Sequence, residues 1–417
     1  MLDLIGDPSD NDHGQWSQED LVVIGFDRLI SRCELLAIIH LEAALPPEAF
    51  AAYFAAHSID QVNTKEDFLN RLHLDHLPFL NTRINTLSQS LIPSGLWKEP
   101  NKKLRLVLQI QSEIEHVLDQ IECVMNTVCP GPGSAQMPTN DQHFRSLKYS
   151  RIYRLRILLR VGVMHNILIV FYRARDLFQQ IELAPEEQKP QFDACPSRQD
   201  LCVQVDCASE RIESTIQMLE HPEFDLIQDN WGYDLCGMEK MMEEILTLIN
   251  PPANLSEEDQ QKVRKFNHEP VIQLASVFIP IIKLSKLFFA KLSKRGMNQR
   301  RFLTFSEMCS DQIETLAKST TYVAQDIESL LGLLFKADLA HRASTNQEFT
   351  QITNDLKSHL ESALLLVILY YLPLVPDTKG FPVQNYYKTW FVTWNTQFNI
   401  SIRNFQHAAR SFHQLRV

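Results

Sequence analysis

At 417 residues the chain is long enough for two or three domains, and 45% apolar with 22% charged residues is typical of a folded globular protein. Only 12 glycines are present, which disfavours Rossmann turns, phosphate loops and hairpin-rich sheets, because all of these need backbone with positive φ. The formal net charge of −11 disfavours a nucleic-acid-binding function.

The first sixty residues are strongly acidic, with eleven acidic and two basic side chains. Residues 1–17 contain neither a basic n-region nor a long apolar segment, so we expect a flexible acidic N-terminus without a targeting signal. This predicts a cytoplasmic or nuclear protein. The 8 cysteines form no CxxC pair and are expected to be free thiols, mostly buried.

Residues 18–250 are expected to form an N-terminal helical bundle, because apolar residues recur there at helical spacing between proline-rich interruptions. The predicted helices are 18–44, 47–57, 65–92, 101–128, 141–181, 197–220 and 236–249. One of them carries an uninterrupted apolar seam made of Val107, Ile110, Ile114, Val117, Ile121, Val124 and Val128. Such a seam is typical of antiparallel neighbours in a bundle.

Two features of this unit invite a chemical interpretation. His73 and His76 could present two imidazoles to a metal, but HExxH is absent and a structural role is favoured, so no metal is predicted. Arg145 to Arg175 contains eight basic and no acidic residues. Because apolar residues surround these charges, we expect the arginines to snorkel or to pair with acidic neighbours, among them the acidic N-terminal segment.

A second unit is expected at 251–417, because Asn250-Pro-Pro252 interrupts the helical pattern and Ser256-Glu-Glu-Asp259 is typical of a helix N-terminus. It is predicted to be a four-helix bundle with helices at 257–294, 302–341, 346–372 and 383–413. A second seam supports it: Ile313, Leu316, Thr320, Val323, Ile327, Leu330, Leu334 and Ala337. The predicted fold class is therefore all-α, with long antiparallel amphipathic helices in one or two bundles.

The first helix of this unit has a lysine face opposite its apolar face, within an arc of about 140° at about 100° per residue. Pro280 predicts a kink in this helix. With the basic residues that follow, the lysines form the candidate interaction face: Lys283, Lys286, Lys291, Lys294, Arg295, Arg300 and Arg301. A solvated bundle face is the alternative interpretation.

The remaining motifs predict no reaction. The stretch Asn354 to Glu361 comes near a terpene-cyclase metal motif, but its third ligand position is Ser362 and no DDxxD partner is present. The most apolar run, Leu364 to Leu372, is about half the length of a bilayer crossing, so no transmembrane segment is predicted. The recurring aromatic residues from Phe381 to Phe405 are expected to pack in the core, with any exposed subset serving to contact a partner.

The stretch from Pro270 to Phe288, continuing through Phe305-Ser-Glu-Met-Cys-Ser-Asp-Gln-Ile-Glu-Thr-Leu, resembles a family of uncharacterised fungal helical proteins. More distantly, the layout of about the last 150 residues resembles the cyclin-D-interacting protein family, although that family's acidic central linker is missing here. The resemblance implies an all-helical interaction protein without catalytic residues, and it carries over no site.

Three functional hypotheses follow. The first is a non-enzymatic protein-interaction adaptor or regulator whose partner is another protein. The second is a peripheral protein that binds an anionic lipid or membrane surface through the lysine face. The third is an unrecognised all-helical enzyme, which needs a pocket lined by convergent polar side chains. No cofactor is predicted.

Overall fold

The computed structural model describes residues 17–37, 59–128, 139–185, 189–229, 231–251, 265–293, 296–299, 305–339, 345–377 and 382–414. Throughout these ranges the regular elements are helices and no strand occurs, which confirms the predicted all-α class. The chain divides into two compact units, each described separately below. Unit 1 comprises residues 1–135 and 151–220, and unit 2 comprises residues 136–150 and 221–417.

Unit 1 contains long helices linked by short 3₁₀ and π segments. The helices are α1 (Gln18–Ala37), α2 (Ile59–Arg71), α3 (Leu77–Ser90), α4 (Pro93–Lys98), α5 (Pro100–Val128), α6 (Tyr149–Ile157, which the division crosses at 150/151), α7 (His165–Glu182) and α8 (Pro196–Glu220). Two π-helical segments, Leu72–His76 and Leu158–Met164, lie within continuous helical backbone. Helix α1 begins where Ser17 and Asp20 form a reciprocal cap, since Asp20 N donates to Ser17 Oγ at 3.0 Å and Ser17 N donates to Asp20 Oδ2 at 3.1 Å.

The core of unit 1 forms where α1 packs on α5 and α7, and where α3 and α8 complete the bundle. Every member of the Val107–Val128 seam is buried, as the spacing predicts. Basic residues of α7 pair with α1: Arg175 contacts Asp27 at 2.8 Å, and the Tyr172 hydroxyl donates to Glu34 at 2.6 Å. The expected pairing of the basic run with acidic N-terminal residues is thus confirmed for Arg175, and the Tyr172 hydroxyl adds a neutral donor to the same helix pair.

Within its described residues, unit 2 contains the short helix α9 and five long helices. They are α9 (Glu223–Ile227), α10 (Trp231–Ile249), α11 (Glu269–Leu292), α12 (Ser310–Leu339), α13 (Thr345–Leu366) and α14 (Val383–Gln414). A π segment (Val367–Tyr371) and a 3₁₀ turn (Leu372–Leu374) continue α13. The whole Ile313–Ala337 seam is buried in one continuous core that all five long helices share. Pro280 lies inside α11, which stays helical through it.

The division between units differs from the boundary expected at 250/251. Helix α10 belongs to unit 2, because its buried residues Trp231, Met238 and Ile245 join the core of that unit. The Trp231 indole N–H donates to the Ala317 carbonyl at 3.2 Å, and two α12 threonines donate to Asp234 at 2.8 Å. The proline break at 250–252 therefore ends a helix without ending a domain.

The other helix boundaries predicted from the sequence lie closer to those of the structure. The helix predicted at 141–181 consists of a 3₁₀ segment (Gln142–Leu147) followed by α6, a π segment and α7. The helix predicted at 18–44 is described to Ala37. The predicted flexible N-terminus (apart from Ser17), the helix at 47–57 and the cap at Ser256 lie outside the described residues.

Helix α11 begins against a carboxylate from α12. Asp338 accepts hydrogen bonds from the backbone N–H groups of Asn267 and His268 at 3.0 Å, and lies 3.0 Å from His268 Nδ1. Pro270, which has no N–H to satisfy, occupies the first turn. Burial alone raises the pKa of Asp338, but the hydrogen bonds from His268 and the two backbone groups outweigh it and lower the pKa below 3.8.

Candidate interaction surfaces

The predicted lysine face is only partly a free surface. Lys283 is exposed, whereas Lys286 pairs with Glu239 of α10 and burial lowers its pKa. Lys291 is half-buried against the first two turns of α14. Lys294, Arg295, Arg300 and Arg301 lie outside the described residues, so the structure locates three of the seven predicted side chains.

Three aromatic rings of α14 surround the Lys291 ammonium. Its Nζ lies 4.5 Å from the ring centroid of Tyr386 and 5.3 Å from those of Tyr387 and Trp390, and it donates a hydrogen bond of 2.7 Å to the Tyr386 hydroxyl. We call these three side chains the aromatic cage. The distances to Tyr387 and Trp390 are within the range over which a cation is attracted to an aromatic ring, whereas the contact with Tyr386 is made at its hydroxyl.

The rest of the aromatic cluster on α14 packs inward, as the helical spacing predicts. Trp394 stacks on Phe398 with ring centroids 5.2 Å apart, and its indole N–H donates to the Leu284 carbonyl at 2.8 Å. Phe391 and Phe405 are also buried, while Phe381 lies outside the described residues. The exposed subset of the cluster is therefore at its N-terminal end, where the cage lies.

The most apolar run of the sequence leaves one face of α13 exposed. Leu365, Ile368 and Leu369 have 56%, 38% and 55% of their surface accessible, although Leu364 and Val367 beside them are buried. Their spacing places these three side chains on one side of the helix, where its backbone becomes π-helical. We call Leu365, Ile368 and Leu369 the apolar stripe.

A second exposed apolar row lies in unit 1. Tyr153, Ile157 and Val161 follow one another at four-residue intervals along α6 and the π segment after it, and each is exposed. They lie within the run of basic residues noted from the sequence. We call these three residues the α6 row.

Unit 2 also contains a buried polar centre that sequence reasoning missed. The fully buried Lys148 Nζ lies 2.7 Å from Glu223 Oε1 and donates to the Ser306 carbonyl at 2.7 Å. Glu223 Oε2 accepts from Ser306 N and Oγ at 2.9 and 2.7 Å. Nearby, burial foremost and then the charge of Glu223 raise the pKa of Tyr371 far above 10.0.

Asp141 extends this centre to the start of α12. Its carboxylate accepts from Ser310 N at 2.7 Å, from Ser310 Oγ at 2.5 Å and from Tyr149 N at 2.9 Å. The short segment 139–150 is thus fastened to residues far away in the sequence. In the sequence, the only local sign of the buried polar centre was Lys148 within the basic run, and a basic run does not identify the partner of one of its residues.

The histidine and cysteine patterns form no cluster. His73 lies 2.9 Å from Glu220, and burial lowers the pKa of His76. Within the described ranges, no three His, Cys, Asp or Glu side chains are placed to hold a metal. The described cysteines are free, but the expectation that most are buried is wrong, since only Cys33 and Cys309 are.

Two helical stretches, Gln142–Glu182 and Glu269–Leu292, have the length and composition of a membrane span. Within their most apolar windows, 39% and 44% of residues are buried inside the chain. Core helices of soluble proteins also reach this length and composition.

Two families match the chain in succession. Residues 65–220 match a domain of unknown function (DUF8723), and residues 222–407 match another (DUF8721). The two matches meet where unit 2 resumes at His221, which supports the observed division of the chain. Neither a curated protein nor a solved structure matches it. The resemblance to the cyclin-D-interacting protein family therefore stays a prediction.

Proposed function

We propose that this protein is an interaction adaptor that binds another protein through the apolar stripe, Leu365, Ile368 and Leu369. The observation that carries the proposal is the exposure of leucine and isoleucine on the outer side of a helix whose inner side is equally apolar. A helix that is hydrophobic all round is normally enclosed by protein or lipid. Among the described residues, the apolar run from Leu364 to Leu372 is enclosed on one side only.

Burying the apolar stripe against a partner would be favourable. Fully burying a leucine or isoleucine side chain contributes roughly 1.5–3 kcal/mol relative to leaving it exposed. Three such side chains, spaced like the anchors by which one helix docks on another, supply a recognition surface without any convergent polar group. An apolar groove or helix of a partner is the matching chemistry.

The interior of unit 2 supports a binding function over a catalytic one. Its core is filled by aliphatic and aromatic side chains from Phe224 to Ala409. Lys148 and Glu223 are a buried charged pair in this unit: Glu223 Oε2 accepts hydrogen bonds from Lys148 and from Ser306, and Lys148 also donates to the Ser306 carbonyl. Such an ion pair is suited to holding segments together.

The test is partner capture by the full chain in cells that express it, with crosslinking and quantitative mass spectrometry. A variant carrying Leu365→Glu and Leu369→Glu is compared with a control carrying Val392→Glu and Ile400→Glu, two exposed apolar residues of α14. We expect a stoichiometric partner that the control retains and the stripe variant loses. Equal retention by both variants, or no partner for the wild type, would contradict the proposal.

A second candidate function is attachment to an anionic lipid surface through the α6 row. Tyr153, Ile157 and Val161 are exposed apolar residues interspersed with Arg154, Arg156 and Arg160, and an apolar row among basic residues is the pattern of an interfacial helix. Four other basic residues of the run are engaged within the chain: Lys148 and Arg151 are buried, and Arg173 and Arg175 pair with Asp200 and Asp27.

Flotation with phosphatidylserine-containing and pure phosphatidylcholine vesicles tests this second candidate. Wild-type protein is expected to float only with the anionic vesicles, and a variant carrying Ile157→Ser and Val161→Ser is expected to stay at the bottom. Flotation that is independent of the acidic lipid, or unchanged in the variant, would count against it.

A further inference from the structure

The aromatic cage is arranged as a site for an ammonium group. Tyr386 and Trp390 are one helical turn apart on α14 and Tyr387 lies between them in sequence. Lys291 reaches them from the end of α11. A single cation within 5.3 Å of three ring centroids, which approaches Tyr386 at its hydroxyl edge, resembles the arrangement by which proteins recognise alkylated ammonium groups.

The rings of the cage differ in how far they are buried. Tyr387 is nearly buried, and its ring packs 6.5 Å from that of Phe391, which in turn contacts Phe288. Tyr386 is 44% exposed, so one wall of the cage faces solvent. The cage thus has one ring packed against the core and one at an accessible rim.

We propose that Tyr386, Tyr387 and Trp390 form a binding site for an N-methylated lysine side chain of a partner polypeptide, and that Lys291 fills this site in cis. The occupant seen in the structure is itself a lysyl ammonium on a four-carbon stem, which shows the size and charge that the cage admits. Lysine methylation keeps the positive charge. It also removes N–H groups from a strongly hydrated ammonium, which makes transfer from water to an aromatic cage less costly.

Lys291 then acts as a built-in competitor. It is tethered beside the rings and donates a 2.7 Å hydrogen bond to the Tyr386 hydroxyl. A tethered group competes at an effective concentration in the millimolar range, so it weakens the binding of any external ligand. Its own charge also repels a second cation.

The test is isothermal titration calorimetry of the full chain with Nα-acetyl-Nε-trimethyl-lysine amide. Lys291→Ala is compared with the wild type and with Lys283→Ala, which removes an exposed lysine from the same helix. We expect Lys291→Ala to bind the probe at least about tenfold more tightly than the wild type, and Lys283→Ala to match the wild type. An equal affinity in all three proteins would overturn the proposal.

Two further titrations separate cation recognition from apolar adhesion. The first uses a neutral analogue of the probe, in which a tert-butyl group of the same shape replaces trimethylammonium. If Lys291→Ala binds this analogue as tightly as the charged probe, the positive charge is not recognised and the proposal is overturned. The second uses the double variant Lys291→Ala with Tyr386→Leu, which is expected to lose the tighter binding of the probe that Lys291→Ala shows. Tyr386 is chosen because its ring is the most exposed of the three. The apolar stripe is a different surface, so either proposal can fail while the other stands.

Discussion

The Lys148 ammonium and the Glu223 carboxylate lie 2.7 Å apart in the interior of unit 2, with almost no surface accessible on either residue. Ser306 completes the pair, since its carbonyl accepts from Lys148 and its N–H and hydroxyl donate to Glu223. The three residues come from three separate segments of the sequence, which this contact holds together.

Breaking the pair on one side should be strongly destabilising. Lys148→Met leaves the Glu223 carboxylate buried without its counter-ion, at an expected cost of about 3–5 kcal/mol in the free energy of unfolding unit 2. Hydrogen exchange of α12 amides across a urea series measures that free energy for unit 2. Adding Glu223→Gln should recover part of the loss, because the charge is then removed while Ser306 keeps an acceptor. The control Lys283→Met, at an exposed position, should change the free energy of unfolding by less than about 0.5 kcal/mol. If Lys148→Met is no more destabilising than this control, the prediction is refuted.

Gly25 leaves room for the Gln111 side chain in the contact between α1 and α5. Gln111 Nε2 donates to the Val22 carbonyl at 2.9 Å, and a Cβ atom on Gly25 would lie 2.1 Å from Gln111 Oε1. Gly25→Ala is therefore expected to destabilise unit 1 by about 1–3 kcal/mol, measured by hydrogen exchange of α5 amides. Gly332→Ala in α12, where a Cβ meets nothing within 4 Å, should instead stabilise its helix by about 0.5–1 kcal/mol. A Gly25→Ala protein as stable as the wild type would show that Gln111 moves aside without cost.

The cap at Asp338 predicts a pH dependence. Its pKa is lower in the folded protein than the ordinary 3.8, so its contribution is fully present above that value and is lost as the pH falls through the folded pKa. At pH 7 Asp338→Asn should lower the stability of unit 2 by roughly 1.5–3 kcal/mol, because a charged acceptor of several hydrogen bonds is replaced. Denaturant unfolding at a series of pH values should show the two proteins converging below about pH 4. A difference that is constant from pH 7 to pH 3 would contradict this account.

The cysteines should react unequally with a thiol reagent. Burial foremost raises the pKa of Cys33 to about 12, so at pH 8 this thiol is both inaccessible and almost entirely protonated. Cys123, Cys207 and Cys236 are exposed. Brief alkylation with iodoacetamide and peptide mass spectrometry should find these three modified and Cys33 modified only after denaturation. Equal labelling of Cys33 in the native protein would mean that α1 opens readily.

The helices themselves could be predicted from the sequence. Two apolar seams identified α5 and α12, and each residue in them is buried, because a 3.6-residue period places all of them on one side of a helix whatever its neighbours are. The same reasoning failed at 250–252. Proline interrupts the local backbone, but domain membership depends on which core a helix joins, and α10 joins that of unit 2.

The side-chain partners could not be predicted in this way. The lysine face on α11 has the predicted arc, yet Lys286 pairs with α10 and Lys291 inserts among the rings of α14. Helical periodicity assigns a side chain to a face and says nothing about the helix opposite. Periodicity could not predict the apolar stripe either. The run from Leu364 to Leu372 is apolar on all sides, so only packing decides which side stays exposed.

By itself, the amino-acid sequence determined the all-α class, the two seams and most of the long helices, because these follow from interactions between residues three or four positions apart. The tertiary structure alone decided the division at 220/221, the ion pair of Lys148 with Glu223, the aromatic cage and the exposed stripe. Each of these depends on which segments, distant in the sequence, come into contact. Burial and charge pairing stabilise such contacts only once the folded chain has brought the segments together.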